Sequence, residues 1–142
     1  MENQRTKIRV ETTVSATLDH VWNCWTEPEH IINWYHASDD WHTTKAENNL
    51  KAGGKFIFRM EAKDGSFGFD FCGVYDRVQL NKTIEYSIAD GRKVVIAFSN
   101  NDNETRIVET FEAEDTNSIE LQRTGWQSII NNFNKYTETK LK

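Results

Sequence analysis

The stretch Arg123–Phe133, RTGWQSIINNF, decides the fold, because it combines the apolar spacing of a helix with a residue that helices resist. Trp126, Ile129, Ile130 and Phe133 recur at three- and four-residue intervals, the period of one helix face. Gly125 interrupts the pattern, although alanine would be about 1 kcal/mol better in a helix interior. Ile119 and Tyr136 extend the stripe in both directions, while Asn131, Asn132, Lys135 and Glu138 form a wet opposite face. Asn117 is a candidate N-cap, with Glu120 three residues on in a capping-box arrangement. The C-terminal region therefore reads as one long amphipathic helix.

What this helix packs against is written upstream. Residues 7–14, KIRVETTV, alternate strictly and place Ile8, Val10, Thr12 and Val14 on one face of a half-buried strand. The period changes in TLDHVWNCWTEPEHIINWY. Here Leu18, Val21, Trp22 and Trp25 fall at helical spacing, and Pro28 starts a second short helix carrying Ile31, Ile32, Trp34 and Tyr35. From about residue 42 the alternation of strands returns. Phe56, Phe58 and Met60 share a face, as do Phe67, Phe69 and Phe71, then Ile84, Tyr86 and Ile88, then Val94, Ile96 and Phe98. The last strand, TRIVETF, turns Ile107, Glu109 and Phe111 to one side. Turn signals at Ala52-Gly53-Gly54, Asp64-Gly65, Asp90-Gly91 and Ser99–Glu104 separate the strands and make a sequential antiparallel meander. The fold class is α+β: a curved antiparallel sheet of six to seven strands, two short helices after strand 1, and one long helix in the concave face.

Bulk properties narrow the function classes. A length of 142 residues suits a single domain, 1–142, that buries roughly two thirds of the surface of its unfolded chain. The net charge of −5 argues against nucleic acid, whose binding draws on Lys and Arg to neutralise phosphates. No apolar run approaches the roughly 20 residues that cross a bilayer, and MENQRTKIRVETT lacks the apolar core of a signal peptide. A cytoplasmic protein without membrane insertion is expected. Cys24 and Cys72 are too few for a disulfide framework and read as reduced core thiols. Five Trp and eight Phe are the oddity, since so much aromatic area calls for a deep core or a lined pocket.

Several short pieces occur in an order that matches a known family: Val21-Trp22, TEPEHI at 26–31, Trp34, Gly53-Gly54 before Phe56, Asp64-Gly65, Gly73–Tyr75, Thr105 and Gly125-Trp126. With this set the chain resembles the activator-of-heat-shock-protein-90-ATPase-like (AHSA-type) branch of the SRPBCC superfamily, related to START lipid-transfer domains and the Bet v allergens. The resemblance covers nearly the whole chain. It implies a helix-grip fold, with a cavity between the gripping sheet and the C-terminal helix. It also suggests a role for Gly125, which would let the helix backbone approach the sheet or a ligand, while Trp126 roofs the cavity. Members of the wider family include ligand carriers, enzymes of related branches and co-chaperone domains, so the fold alone does not name a chemistry.

The inward sheet residues Phe56, Phe58, Met60, Phe69, Phe71, Tyr86, Phe98 and Phe111 are the candidate cavity lining. From the helices, Gly125, Trp126 and Ile130 join them, with Trp34 near one mouth. The alternative is that these side chains simply fill the core. Glu109 could anchor a polar ligand group or act as an acid or base, a catalytic role for which a histidine of the 36–42 loop is the alternative. Burying an unpaired charge is costly, so the sequence favours a strand end or local irregularity that turns Glu109 outward. His36, Asp39, Asp40 and His42 in WYHASDDWH lack a spacing that enforces metal geometry, and no metal site or cofactor is expected. That loop reads as a rim over the cavity, with Trp34, Tyr35 and Trp41 as apolar cover. The first functional reading is a module that binds a small hydrophobic or amphipathic molecule. A cyclase- or hydrolase-like enzyme using Glu109, a chaperone-binding domain and a homodimer are the alternatives.

Overall fold

Alternation of apolar and polar side chains sets the faces of seven strands, and the computed structural model of residues 6–140 arranges them in one antiparallel sheet. The ends of the expected 1–142 range lie outside the described residues. In chain order the elements are β1 (Lys7–Val14), α1 (Leu18–Thr26), α2 (Pro28–Trp34), β2 (Trp41–Asn48) and β3 (Lys55–Ala62), followed by β4 (Gly68–Gln79), β5 (Thr83–Ile88), β6 (Lys93–Asn101), β7 (Glu104–Glu112) and α3 (Ile119–Thr139). The strand order is β1-β7-β6-β5-β4-β3-β2. Strands β2 to β7 thus form the expected meander, and β1 pairs with β7 at the far edge. Register shifts between Thr43 and Lys45 and between Tyr75 and Arg77 mark bulges, which bend strands and increase local twist. The sheet curls around the helices in a helix-grip α+β arrangement.

The helices start where their chemistry directs. Thr17 caps α1 through its side chain, which accepts from the His20 N–H, and Pro28 opens α2, where a missing N–H does no harm. The cap of α3 is Ser118, one residue beyond the expected Asn117. The Asn117 backbone and side-chain amides both donate to the Glu114 carboxylate, so that residue closes the preceding loop, and Ser118 Oγ accepts from Leu121 N at 3.1 Å. Glu120 reaches forward to Arg123 at 2.9 Å instead of back to the cap. β4 continues to Gln79 and ends in a turn around Asn81, which has φ 61. No helix among the described residues is long and apolar enough to cross a membrane.

Helix α3 lies over β1. Gln127 Nε2 donates to the Glu11 carbonyl at 3.0 Å, Asn134 Nδ2 to Thr12 Oγ1 at 2.7 Å, and the Ser15 N–H donates to Glu138 at 3.0 Å. Of the expected wet face, Glu138 is thus spent on a hydrogen bond to the residue just after the edge strand. Asn132, expected to be solvated, is half-buried and donates to the His36 carbonyl. Gln122 is buried and holds the loop before the helix, donating to Asn117 O and accepting from Glu114 N.

Gly73 shows how closely β4 passes its neighbours. A Cβ there would lie 2.5 Å from the Ser87 carbonyl oxygen and 2.8 Å from the Phe56 ring. Gly73→Ala should therefore destabilise the fold by about 1–3 kcal/mol, seen as a lower urea midpoint with an unchanged denaturant slope. A midpoint equal to wild type would show that both the Ser87 carbonyl and Phe56 can move aside without loss.

Candidate functional site

Between the N-terminal half of α3 and the β2–β4 side of the sheet lies an open recess of about 310 Å³. The strands supply Trp41, Met60, Phe69 and Phe71, the segment after α2 supplies Tyr35 and Ala37, and the helix supplies Gly125, Trp126 and Ile129. Its wall is almost wholly apolar. The positions follow from periodicity: Met60 pairs with Phe69 and Phe58 with Phe71 across β3 and β4, and Gly125 and Ile129 stand one helical turn apart. Phe71 meets Trp126 edge to face at 6.5 Å, and Trp126 is backed by Phe111, stacked at 3.8 Å with the planes 10° apart. A Cβ built on Gly125 would meet nothing within 4 Å. Of the two uses expected of this glycine, close approach to the sheet is not what the structure has. It opens onto empty space.

Behind Tyr35 is a second, inner void of about 20 Å³, about the size that holds one water molecule. Rings form most of its wall, among them Trp34, Phe56, Phe58, Tyr75 and Tyr86, and Tyr35 faces both spaces. Tyr35 is fixed at the C-terminal end of α2. Its N–H donates to the Ile31 carbonyl at 3.0 Å, its own carbonyl accepts from the Thr43 hydroxyl, and its ring packs on Phe58 at 5.0 Å and Phe71 at 5.8 Å. The Tyr86 and Tyr35 phenols lie within electrostatic reach of each other, and burial pushes both well above their ordinary range. Tyr75 donates instead to Asn48 Oδ1, and burial raises it as well.

The candidate lining residues therefore divide. Met60, Phe69, Phe71, Gly125 and Trp126 border the recess, whereas Trp34, Phe56, Phe58 and Tyr86 border the inner void. Phe98, Phe111 and Ile130 line neither. Phe98 packs beneath Trp22 at 5.2 Å, Phe111 supports Trp126 from behind, and Ile130 is fully buried in the core. Trp34 is not near a mouth. It is 1% exposed, because its indole Nε1 donates to the Cys24 carbonyl at 2.9 Å and Phe133 packs against its ring. Phe67, expected on the face of Phe69 and Phe71, precedes β4 and is 61% exposed beside Trp41 at the rim, where Phe69 is also part-exposed. Trp41 and Tyr35 provide the apolar cover expected of the 36–42 segment and its flank. Ile129 belonged to the helix stripe, and its place one turn after Gly125 was the signal that could have put it on the recess wall.

Glu109 corrects the sequence reading most sharply. The alternation of β7 is unbroken, with Val10 and Ile96 as cross-strand neighbours, so the side chain points inward and is 5% exposed. Burial in apolar surroundings raises its carboxyl to about 8, with no compensating cation. The carboxyl escapes the cost of a buried charge by staying protonated. It lies within electrostatic reach of the Tyr35 and Tyr86 phenols.

The residues of the 36–42 loop do not gather their ligand atoms among the described residues; those of Glu27, Glu29 and His30 do, within 4.8 Å of one another. There His30 Nδ1 is hydrogen-bonded to the Tyr136 hydroxyl at 2.6 Å.

With fold and site in view, the match to a family model described as activator of Hsp90 ATPase homolog 1-like protein spans residues 15–138. The chain belongs to this family. The AHSA1-like protein from Aeromonas hydrophila is 39% identical, with 95% of this chain and 94% of that one covered and a TM-score of 0.90. A protein from Cytophaga hutchinsonii is 55% identical over 95% and 94% of the two chains, with a TM-score of 0.82. At 17% identity, a protein from Nitrosomonas europaea shares the fold, with 99% of each chain covered and a TM-score of 0.82. No curated protein matches the chain. In this AHSA1-like chain Val21-Trp22 is buried on α1, Gly73 passes close to Phe56 and Ser87, and Gly125-Trp126 stands on the recess wall.

Linkage makes Glu109 measurable in the fold itself. A carboxyl held at about 8 in the native state and near 4.5 in the unfolded chain binds a proton that unfolding releases. Its contribution to stability is complete below the unfolded value and is lost as pH rises through about 8. Glu109→Gln should remove that loss and exceed wild type by on the order of a few kcal/mol in alkaline solution, while differing little in mild acid. Urea midpoints across this range check it, and parallel curves for the two proteins would refute a protonated Glu109.

Proposed function

We infer that this AHSA1-like chain is a binding module that holds a small apolar or amphipathic molecule between the curved sheet and α3. One observation carries the reading: the recess is open, about 310 Å³, and walled by rings and aliphatic groups where a packed core would be closed. The lower end of the volume range for small-molecule sites is about 300 Å³, so the size suits a compact ligand. Gly125 supports the same reading, because a helix-interior glycine that touches nothing contributes space and no packing.

Acid–base catalysis is the second reading, and it has Glu109 behind it, a protonated carboxyl close to two phenols. Glu109 is not on the recess wall, however, and Tyr35 stands at the boundary. Binding therefore agrees better with the arrangement than turnover does.

Two substitutions at one position separate space from stability. Gly125→Ala should stabilise the protein by up to about 1 kcal/mol through helix propensity, since the new methyl meets nothing, and should leave most of the recess open. Gly125→Phe should keep the fold, fill the recess and abolish binding of an apolar fluorescent probe such as anilinonaphthalene sulfonate. Native mass spectrometry of the gently purified protein, followed by extraction, would identify any molecule that the wild type retains. Undiminished probe binding by a folded Gly125→Phe variant would move the site elsewhere.

A further inference from the structure

The make-up of the recess wall says which apolar ligands it would take, an inference that rests on the binding reading above. Five of its nine lining residues carry rings: Tyr35, Trp41, Phe69, Phe71 and Trp126. They stand at separations where ring faces and ring edges attract. Trp41 meets Phe69 at 5.9 Å and 61°, Phe71 meets Trp126 at 6.5 Å and 84°, and Tyr35 lies against Phe71 at 5.8 Å and 27°. Phe111 covers one face of Trp126, which leaves the other face and the edge for the recess. Met60 adds a thioether, a group that packs favourably at ring edges. The rings are also held before any ligand arrives. Trp126 rests on Phe111, the Tyr35 backbone is tied to Ile31 and Thr43, and Trp41 is paired with Ala62 and flanked by Phe67. At the mouth the aromatic wall continues outward, since Phe69 is 40% exposed and Phe67, 6.2 Å from it, more so.

We propose that the recess is a site for a planar aromatic ring system of about two fused rings, held by ring contacts with Trp41, Phe69, Phe71 and Trp126, and that it discriminates against hydrocarbon chains and saturated rings of equal carbon number. A rigid wall suits a rigid ligand. A fused aromatic has no internal rotors to freeze, whereas a chain loses freedom at each bond it immobilises. No lining side chain is charged at neutral pH, so an ionic substituent has no partner in the wall and projects from the open mouth. The ranking runs against greasiness. Saturated rings and chains carry more apolar surface than an aromatic with the same number of carbons, so burial alone would place them first. Ring contacts, each multiplying affinity by about two- to tenfold, reverse that order.

Isothermal titration calorimetry of the full chain with 2-naphthol, decahydro-2-naphthol and decan-1-ol tests this, because the three alcohols share one carbon count and one hydroxyl. The aromatic alcohol should bind about tenfold or more tighter than either saturated one. Trp41→Leu and Phe69→Leu each remove a part-exposed rim ring and keep an apolar branch. Each should weaken 2-naphthol by about two- to tenfold and leave decan-1-ol within about twofold. A saturated alcohol that binds as tightly as 2-naphthol overturns the aromatic assignment while leaving the recess as an apolar site. Equal losses for all three alcohols in the leucine variants would mark those rings as structural supports and overturn it too. Failure of all three alcohols and of the fluorescent probe overturns the binding reading as well. The ranking in the wild type is independent of how any variant folds.

Discussion

Phe133 is the point at which all three helices meet. It is fully buried on α3 and stands edge-on to Trp25 of α1 at 4.8 Å and Trp34 of α2 at 4.7 Å, while the two tryptophans lie 4.9 Å apart. Rings of this size keep helix backbones well separated, and pairs in this geometry are worth about 0.5–1.5 kcal/mol beyond the area they bury. They pin the C-terminal half of α3. The N-terminal half rests on a different support, the Phe111–Trp126 stack. At and just after the first support the helix passes over the β3–β4 side of the sheet, with Gly125, Trp126 and Ile129 forming its side of the recess. The recess is thus a consequence of where the helix is held up.

Lateral position is set by polar groups. Gln127, Asn134 and Glu138 hydrogen-bond to Glu11, Thr12, Thr13 and Ser15, so α3 is riveted along the β1 edge while the aromatic residues fix its height. This also covers an edge strand, a position that natural proteins seldom leave exposed. The other edge, β2, is bordered by the end of α2, where Thr43 donates to the Tyr35 carbonyl. Aromatic packing and edge protection therefore converge on the same short segment, the seven residues of α2 and the tyrosine that ends it.

What could be read in the sequence was whatever depends on local period. The faces of β1, β3, β5, β6 and β7 follow strict alternation, and the meander follows from turn residues, so both were legible. The α3 cap was missed because Glu114, three residues before Asn117, takes up the Asn117 amides, a competition that a cap motif does not record. Phe67 keeps company with Phe69 beside Trp41 as the alternation implies, but it lies outside the strand, which begins one residue later at Gly68. Glu109 is a different kind of error. Its alternation was read correctly and then overruled by the cost of burying a charge, which does not apply to a carboxyl that keeps its proton. The division into recess and void had no signature in the sequence, since it depends on where a single ring, Tyr35, comes to rest.

That ring has little freedom. Tyr35 is the C-cap of α2, with its backbone tied to Ile31 and Thr43 and its face against Phe58 and Phe71. On one side of it is space open to the exterior, lined almost wholly by apolar side chains; on the other are a void of about one water and the phenol of Tyr86, with the Glu109 carboxyl within electrostatic reach. The polar groups of the interior are therefore screened from the recess by one side chain, held at the end of a helix too short to be stable by itself. Its stability comes from Trp34 and Ile31, both 1% exposed in the aromatic core. The packing that seats Phe133 thus also seats Tyr35, and the support of α3 and the boundary of the buried acid are two outcomes of one arrangement of rings.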